Sequence, residues 1–412
     1  MVTKCRLIPS VAIVLLLMSV AAPGVGTDLN ISKADVMSGM HHTAQYIVRG
    51  PLRIDGNDEL EEIASSGTGV EGDPYIITGL RVEGNGRDAC ITVFNTTAFF
   101  VIRDCIVTSS SEENSTHGIV FDSIVNGAID GCQISSGLLT GVTLQNCIDC
   151  MVNDTRVYDV EEIGVHLSAS SDCIIKGNRI YANRKGIMAE ATDTCTVINN
   201  TIYRNSIEGI DFAFNAQFNV VYGNSIGWNG VGASGVAENQ FNARNDGSGN
   251  RFDDGVSIGN RWSDYNASEP YMIDGVQQVV DEYALLFEDL TNPFINSPMD
   301  IAVDMESNGN MLTWACVDET PYLYTLFLNG ASELIGIWDS GPVTINIDHL
   351  TAGTHNATLE ILDAAGNRAT DTVFVTVISL VFGGMGTDLV MIASGVTVVV
   401  FLTLLLLAKK VL

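Results

Sequence analysis

The chain has 412 residues and carries 20 Lys and Arg against 49 Asp and Glu, which gives a formal net charge of −29. This charge opposes contact with a phosphate backbone and excludes nucleic acid as a partner. Apolar residues make up 46% of the chain and charged residues 17%. This composition excludes an acidic disordered protein and favours two or three domains, each with its own core.

The N-terminus has the order of a secretory signal peptide, which we predict over residues 1–26. Lys4 and Arg6 precede a mostly apolar run at residues 7–20, and small residues follow at 21–24. An uncleaved signal anchor is the alternative. Residues 27–46 are a predicted linker.

The linker contains a Met-x-x-Met-His-His cluster, formed by Met37, Met40, His41 and His42. Thioether and imidazole groups are ligands that suit copper, so this cluster is a candidate metal site. The alternative is a solvated linker without a scaffold to fix the ligands.

The C-terminus predicts one transmembrane helix at residues 389–408. These 20 residues carry no charge and, at about 1.5 Å per residue, span a hydrocarbon core of about 30 Å. Lys409 and Lys410 follow, which places residues 409–412 in the cytoplasm by the positive-inside rule and fits poorly with a removable lipid-anchor signal. The prediction is a single-pass protein of the cell membrane with an extracellular ectodomain.

The ectodomain is more acidic than the whole chain. The two end segments hold four positive charges and no carboxylate, so the ectodomain alone carries −33. Seven Asn-x-Ser/Thr sequons agree with an exported, glycosylated surface. They begin at Asn30, Asn95, Asn114, Asn153, Asn199, Asn266 and Asn356.

A repeat of 22 or 23 residues occupies the middle of the chain. A glycine followed by a β-branched residue recurs at Gly118, Gly141, Gly164, Gly186 and Gly209. This period, with short alternating segments, predicts coils of three short strands and three turns, which is a parallel β-helix. A leucine-rich repeat has a similar period, but its Leu-x-x-Leu-x-Leu pattern is absent. Proline cannot donate to a strand ladder, and none occurs at residues 75–269.

Equivalent residues of successive coils are expected to stack about 4.8 Å apart. Two predicted inward ladders are aliphatic: Val142, Val165, Ile187 and Ile210 in one, and Val152, Ile175, Val197 and Val221 in the other. One turn position is taken by Cys105, Cys132, Thr155, Asn178, Asn200 and Asn224, and a companion asparagine follows at Asn183, Asn205 and Asn229. Asparagine amides can pair from rung to rung and tolerate left-handed backbone.

These coils resemble the parallel β-helix repeats of the NosD-type, or periplasmic copper-binding, family over about residues 47–290. The resemblance is carried by the repeats at 178–205, by Gly-Thr-Gly-Val-Glu-Gly-Asp-Pro-Tyr-Ile-Ile at 67–77, and by an aromatic and acidic closing block. The closing block includes Asn-Arg-Phe-Asp-Asp-Gly at 250–255 and Gly-Asn-Arg-Trp-Ser-Asp-Tyr at 259–265. It is similar to the block that ends many archaeal surface β-helices of this type. The resemblance implies a right-handed parallel β-helix, and it does not by itself assign an activity.

Residues 291–378 change to alternating strands separated by turn signals such as Asn329-Gly330. Their length and pattern predict an immunoglobulin-like β-sandwich, although Cys316 has no second cysteine for an intersheet disulfide. Residues 379–388 are a predicted link to the membrane. The whole prediction is an all-β chain: a right-handed parallel β-helix, an immunoglobulin-like β-sandwich and one C-terminal transmembrane helix.

Eight cysteines follow the signal peptide, and secreted proteins often pair theirs. Cys150, Cys173 and Cys195 share one repeat position. A ladder spacing of about 4.8 Å exceeds the Cβ separation of about 3.5–4.5 Å in a relaxed disulfide. The favoured interpretation is therefore buried free thiols, and disulfides are the alternative.

Candidate catalytic residues lie on the strand of the Gly-Ile and Gly-Val repeats. Its outward positions hold Thr143, His166, Met188 and Asp211, and Glu190 and Glu208 lie near them. Glu190 and Asp211 are expected one rung and two residues apart, about 8 Å. This distance lies in the window of about 6.5–9.5 Å for the carboxylate pair of an inverting glycosidase. Chance spacing among 49 carboxylates is the alternative.

The closing block offers two further candidate binding features. Its carboxylates are hard oxygen ligands that could bind Ca²⁺, with a solvated acidic cap as the alternative. Its aromatic rings are candidate ligand-binding groups that could stack on sugars, and packing in the cap is the alternative. His166, on the strand of the glycine repeats, is a further candidate ligand-binding residue. The carboxylates are Asp253, Asp254, Asp264, Glu269 and Asp274, and the rings are Trp228, Trp262, Tyr265 and Tyr271.

Three functions are compatible with these features. The favoured one is a membrane-anchored cell-surface protein that binds polysaccharide or surface proteins and requires no cofactor. The second is a polysaccharide hydrolase or lyase that acts on the β-helix face, although the sequence leans against an enzyme. The third is copper handling, as the resemblance to the NosD-type family implies.

Overall fold

The computed structural model describes residues 46–86, 89–110, 116–230, 241–267 and 269–379. The predicted signal peptide, the methionine–histidine cluster, the predicted transmembrane segment and the sequons at Asn30 and Asn114 lie outside these ranges. Within them, no helix is long and apolar enough to cross a membrane.

Three parallel sheets form a β-helix, and each complete coil contributes one strand to each sheet. The ten-stranded sheet contains β1 (Ile47–Arg49), β4 (Leu80–Gly84), β7 (Ile106–Ser109), β10 (Gln133–Ser135), β13 (Arg156–Tyr158), β16 (Arg179–Tyr181), β19 (Thr201–Tyr203), β22 (Ser225–Gly227), β24 (Arg261–Trp262) and β27 (Leu285–Leu286). The eight-stranded sheet contains β2 (Leu52–Asp55), β5 (Ala89–Phe94), β8 (His117–Asp122), β11 (Thr140–Gln145), β14 (Ile163–Ser168), β17 (Lys185–Glu190), β20 (Glu208–Phe212) and β23 (Phe241–Asn245). The seven-stranded sheet contains β3 (Tyr75–Thr78), β6 (Phe100–Arg103), β9 (Gly127–Asp130), β12 (Met151–Asn153), β15 (Ile174–Lys176), β18 (Thr196–Ile198) and β21 (Val220–Tyr222). Helix α1 (Gly56–Ile63) follows β2 and buries Leu60.

Aliphatic ladders fill the interior because alternate residues of each strand point inward. The register stacks Val142 on Val165, Ile187 and Ile210 in the eight-stranded sheet, as predicted. The second predicted ladder lies in the seven-stranded sheet, and the members of both ladders are at most 2% exposed. The eight cysteines of the described residues are buried and free, which confirms the buried-thiol interpretation.

Asparagine amides form hydrogen-bonded ladders at the corners of the coils. Asn178 Nδ2 donates to Asn200 Oδ1 at 3.0 Å, and Asn200 Nδ2 donates to Asn224 Oδ1 at 2.9 Å. The same Asn200 oxygen accepts the backbone N–H of Asn178 at 2.9 Å. A second ladder joins Asn183, Asn205, Asn229 and Asn242. The predicted pairing is therefore confirmed, and it satisfies corner groups that would cost about 1–3 kcal/mol each if they were buried unpaired.

One corner position has left-handed backbone in six successive coils. Its φ values range from 45° to 69° at Asp104, Gly131, Asp154, Gly177, Asn199 and Gly223. Glycine alternates with a longer residue here, because a Cβ on Gly177 would lie 2.4 Å from the Asp154 carboxylate of the previous coil. Asp, Asn and Gly are the residues that adopt this conformation most readily.

The closing block seals the C-terminal end of the β-helix. Asn224 Nδ2 donates to Asn260 Oδ1 at 2.8 Å, and the buried Asp281 Oδ2 accepts from the Asn260 backbone at 2.7 Å and from Trp262 Nε1 at 2.9 Å. Burial raises the pKa of Asp281. Trp262 stacks on Tyr271 with ring centroids 4.2 Å apart. A short antiparallel pair of β25 (Tyr271–Met272) and β26 (Val280–Asp281) completes the block.

The remaining strands form a C-terminal β-domain with a separate core around Trp314. Its five-stranded sheet has the order β29 (Ile301–Asp304), β36 (Arg368–Ile378), β35 (Gly353–Asp363), β32 (Pro321–Leu328) and β33 (Ala331–Ile337). Two antiparallel pairs accompany it: β28 (Phe294–Ile295) with β31 (Cys316–Val317), and β30 (Met311–Trp314) with β34 (Val343–Asn346). The all-β prediction holds for this part, and its immunoglobulin-like assignment stays a prediction.

A column of three tyrosines joins the C-terminal β-domain to the ten-stranded sheet. Tyr158, Tyr181 and Tyr203 stack with ring centroids 4.9 and 4.8 Å apart. Tyr203 Oη donates to Pro321 O at 2.9 Å, and Tyr181 Oη donates to Trp338 O at 3.3 Å. The C-terminal β-domain therefore packs against the middle of the ten-stranded sheet.

Candidate functional site

The outer face of the eight-stranded sheet gathers charged and imidazole side chains. In register, Met188 lies between His166 and Asp211, and Arg244 follows Asp211 in the same row. Lys185 lies beside Glu208 in a parallel row. We call this surface the polar face, which consists of His117, His166, Ser168, Lys185, Glu190, Glu208, Asp211, Arg244 and Asp246.

Lys185 is held by two carboxylates of the next strand. Its Nζ atom lies 2.5 Å from Asp211 Oδ2 and 3.2 Å from Glu208 Oε2. Burial lowers the pKa of Lys185, but the hydrogen bond to Asp211 and the charges of the two carboxylates outweigh this effect and raise it. Lys185 is therefore a fixed ammonium, and the three groups together carry one excess negative charge.

Two histidines lie on the N-terminal half of the polar face. His166 Nε2 is 3.3 Å from Glu190 Oε1, and the same Glu190 oxygen accepts a hydrogen bond from Ser168 Oγ at 3.1 Å. Burial lowers the pKa of both His117 and His166, and the Glu190 carboxylate offsets part of this effect at His166. Both imidazoles are therefore neutral at pH 7.

Three polar atoms of the polar face are buried without a hydrogen-bond partner in the part of the chain that the structure describes: His117 Nδ1, His166 Nε2 and Glu208 Oε2. Glu208 lies against the Lys185 ammonium and His166 lies against the Glu190 carboxylate, and neither contact has hydrogen-bond geometry. Most buried polar atoms in proteins are hydrogen-bonded. These three exceptions lie beneath one face of the sheet, and two of them have a polar neighbour within 3.3 Å.

An exposed aromatic ring lies at the edge of the polar face. Phe214 is 78% exposed and follows Ala213, whose backbone N–H donates to Ala189 O at 3.0 Å. This bond places the start of the Phe214 turn beside the end of β17, where Glu190 lies. An exposed aromatic ring of this kind can stack on the apolar face of a sugar.

The predicted acid pair has the predicted relation in the sheet. Asp211 lies opposite Met188, and Glu190 lies two residues further along β17. The two carboxylates differ in environment, because Glu190 has a side chain 40% exposed and Asp211 one that is 11% exposed and bonded to Lys185. A catalytic role for the pair stays a prediction.

The structure divides the predicted aromatic binding residues. Trp262 is fully buried in the closing block, so its indole packs in the core and cannot stack on an external sugar. Tyr265 and Tyr271 pack partly buried against the same core, and Trp228 contacts Phe287 with ring centroids 4.8 Å apart. Of the predicted ligand-binding residues, His166 alone lies on the polar face.

Sequence reasoning placed Glu208 near this site but missed Lys185, Arg244 and Phe214 as members of it. Lys185 and Glu208 each directly precede the glycine of a repeat, a position that the register places on the outer face of the sheet. That periodic signal could have found them. Phe214 lies in a turn outside the strand pattern, and no repeat position marks it.

The predicted calcium ligands of the closing block bond to nearby backbone. Asp254 Oδ1 accepts the N–H groups of Val256, Ser257 and Ile258 at 2.7–2.8 Å, and these bonds lower its pKa. Asp264 Oδ1 accepts from Asn242 Nδ2 at 2.8 Å and ends the second asparagine ladder. These two carboxylates therefore have structural roles, and a calcium role for the block stays a prediction.

A separate acidic group lies between the closing block and the C-terminal β-domain. Carboxylate oxygens of Asp289, Asp318 and Asp363 lie within 4.8 Å of one another. Burial raises the pKa of Asp318 to about 6, and the charges of Asp289 and Asp363 add to this effect. Such oxygens are hard ligands of the kind that Ca²⁺ prefers.

A copper site does not fit the residues that the structure describes. Among the described residues, the three neighbouring side chains that could hold a metal ion are Asp289, Asp318 and Asp363, and carboxylates suit hard cations rather than copper. The cysteine thiols, which would suit copper, lie in the β-helix core. The Met37, Met40, His41 and His42 cluster is outside the described residues, so its copper binding stays a prediction.

The coils and the polar face define the class of the protein: a parallel β-helix that presents an ordered array of polar groups on a sheet. A family model described as "Periplasmic copper-binding protein (NosD)" matches residues 66–276, just over half of the chain. The chain belongs to this family. The periplasmic location in that description agrees with the predicted export of the chain. The archaeal part of the sequence resemblance stays a prediction.

Solved structures give partial similarities. The periplasmic alginate epimerase AlgG shares 19% identity with a TM-score of 0.29, over 42% of this chain and 46% of that one. The alginate lyase from Paenibacillus sp. str. FPU-7 shares 16% with a TM-score of 0.37, over 51% and 76%. Bacteriophage CBA120 tailspike protein 2 shares 12% with a TM-score of 0.36, over 82% and 73%.

These similarities do not transfer an activity to this chain, which spans less than half the length of the AlgG epimerase. A comparison with curated protein sequences gives no match.

Proposed function

We propose that the protein is an extracellular glycan-binding protein and that the polar face is its binding site. The observation that carries this proposal is the concentration of polar side chains on this one face, where Glu190 is exposed and three buried atoms have no hydrogen-bond partner among the described residues. Sugar hydroxyls both donate and accept hydrogen bonds, so they can complete an imidazole nitrogen and a carboxylate oxygen at once.

Binding in this proposal combines hydrogen bonds with stacking. His166, Glu190 and the Lys185 group present polar atoms that the sheet fixes in position. Phe214 supplies an exposed ring at the edge, against which the apolar face of a pyranose can pack. Because these side chains are held by ion pairs before binding, little rotamer freedom is lost when the glycan binds.

The predicted ends give this activity its location. The predicted transmembrane helix at residues 389–408 would hold the chain on the cell surface. Of the seven sequons, Asn95, Asn199 and Asn266 are exposed in the described residues and would carry glycans of the protein itself.

A glycan array probed with the full-length protein in detergent micelles tests the proposal. We expect binding to a subset of glycans, and Phe214→Ala should weaken it at least tenfold. Phe374→Ala is the matched control, because Phe374 is 49% exposed but lies in the C-terminal β-domain. Binding that is unchanged in Phe214→Ala would place the glycan elsewhere, and no binding to any glycan would refute the proposed function.

The second candidate function is glycoside hydrolysis by Glu190 and Asp211. It is favoured by the different environments of the two carboxylates on neighbouring rungs. Glu190 would protonate the glycosidic oxygen as the bond to the anomeric carbon breaks, and Asp211 would take the proton of the water that attacks that carbon.

This candidate predicts release of reducing ends from a polysaccharide by the full-length protein. Glu190→Gln and Asp211→Asn should each abolish the release. Glu360→Gln, which removes an ion-paired carboxylate of the C-terminal β-domain, should not. Activity that survives in both variants would exclude this pair.

A further inference from the structure

The cations of the polar face are already neutralised within the protein. Lys185 is shared by Asp211 and Glu208, and the Arg244 guanidinium binds Asp246 Oδ2 through Nε at 3.0 Å and Nη2 at 2.7 Å. On the strands from β5 to β23, Lys185 and Arg244 are the cationic side chains of this face, and each is paired with carboxylates. Arg53 on β2 lies at the N-terminal end of the same sheet, where it stacks over Phe94.

Carboxylates are in excess on the same surface. Glu190, Glu208, Asp211 and Asp246 supply four negative charges against the two cations. The histidines add no positive charge, because burial keeps His117 and His166 neutral at pH 7. The ectodomain around this face is itself strongly acidic. An anionic sugar would therefore meet repulsion without a compensating ion pair.

The groups that remain available suit hydroxyls. The exposed acceptor of this face is the Glu190 carboxylate, and Glu208 Oε2 and one nitrogen of each imidazole lie buried beneath the surface without a hydrogen-bond partner among the described residues. Glu190 is 40% exposed and has lone pairs beyond those used by Ser168. Charge-assisted hydrogen bonds from hydroxyls to carboxylates are stronger than neutral ones.

We propose that the ligand of the polar face is a neutral glycan rather than a uronic-acid polymer. This inference rests on the proposed glycan-binding function and names its ligand class. The polar face recognises hydroxyl groups through carboxylates that its own Lys185 and Arg244 hold in place.

The direct test compares two glycan classes on the full-length protein. Immobilised protein in detergent is titrated with neutral oligosaccharides (glucan, mannan and chitin fragments) and with oligouronates of matched length, in EDTA at low salt. We expect the best neutral glycan to bind at least tenfold more tightly than any oligouronate. Equal or tighter binding of an oligouronate overturns the inference and leaves the glycan-binding function standing. No binding of either class overturns the proposed function itself.

A charge variant sharpens this test. Asp211→Asn combined with Glu208→Gln keeps the shapes of both side chains and frees the Lys185 ammonium from its carboxylates. The variant should gain affinity for oligouronates at least tenfold and lose affinity for the neutral glycan. Glu360→Gln removes a carboxylate from the C-terminal β-domain and should change neither affinity. A variant that gains no uronate binding while keeping the circular dichroism spectrum of the wild type contradicts the role given to Lys185.

Discussion

Replacement of Asn200 by alanine tests the physical basis of the β-helix. Asn200 is 1% exposed and makes four hydrogen bonds through its amide. Its Oδ1 accepts from the Asn178 backbone at 2.9 Å and from Asn178 Nδ2 at 3.0 Å, and its Nδ2 donates to Ile175 O at 2.8 Å and to Asn224 Oδ1 at 2.9 Å. After the substitution, the Asn178 backbone N–H has lost its acceptor inside the protein. Asn178 Nδ2 keeps its bond to Val152 O.

The expected loss of stability follows from these contacts. Leaving the Asn178 backbone N–H buried without an acceptor costs about 1–3 kcal/mol. The loss of the hydrogen bond to Ile175 O and the cavity left by the removed amide add to this cost. We expect Asn200→Ala to lower the free energy of unfolding by about 2–4 kcal/mol. Asn215→Ala is the matched control, because Asn215 is exposed in a turn and its loss should change stability by less than about 0.5 kcal/mol.

Urea unfolding followed by far-ultraviolet circular dichroism and by the fluorescence of the four tryptophans, which include the buried Trp262, measures both variants. If Asn200→Ala and Asn215→Ala have the same midpoint and slope, the asparagine ladder does not stabilise the fold and the reasoning is refuted.

Three further predictions concern separate regions. Asp318 has its pKa raised to about 6 from 3.8, so the folded state binds this proton more tightly than the unfolded state, and ionisation of Asp318 costs stability as the pH rises from 4 through 6. This rise in pKa corresponds to a loss of folding free energy of about 3 kcal/mol at most, and of about 1–2 kcal/mol once solvent screening of the partly exposed carboxylate is included. Asp318→Asn should therefore raise Tm at pH 7.5 in EDTA and leave it unchanged at pH 4. An unchanged Tm at both pH values would contradict the raised pKa. Phe214→Ala should weaken glycan binding at least tenfold without changing Tm, and a large fall in Tm would mean that Phe214 packs in the fold instead. The eight buried cysteines should resist a maleimide in the native protein and react after denaturation, whereas fast native labelling would contradict their burial.

The fold was predictable because the β-helix repeats one local pattern. Stacked coils place like residues on one another, so a ladder of Val165 and Ile187 or of Asn178 and Asn200 is visible as a 22- or 23-residue period. The alternation of glycine with a longer residue at the corner position of Asp154 could not be predicted in the same way. Glycine and aspartate alternate there, and the reason is a contact between neighbouring coils that the sequence does not display.

The candidate site was predictable only in part. Periodicity placed His166 and Asp211 on the outer face, because it determines which side of a strand a residue occupies. It does not determine partners, so the pairing of Lys185 with two carboxylates could not be inferred. Trp262 and the group around Asp318 depend on how distant segments pack, and a single sequence carries no direct signal of that packing.

The most direct test of the central claim is the affinity of one glycan for a protein with an altered polar face. Isothermal titration of the best neutral glycan from the array is carried out on the full-length wild type, on Glu190→Gln/Asp211→Asn, and on Glu360→Gln. If the polar face is the binding site, Kd rises at least tenfold in the double variant and is unchanged in Glu360→Gln. An unchanged Kd in the folded double variant would contradict the claim.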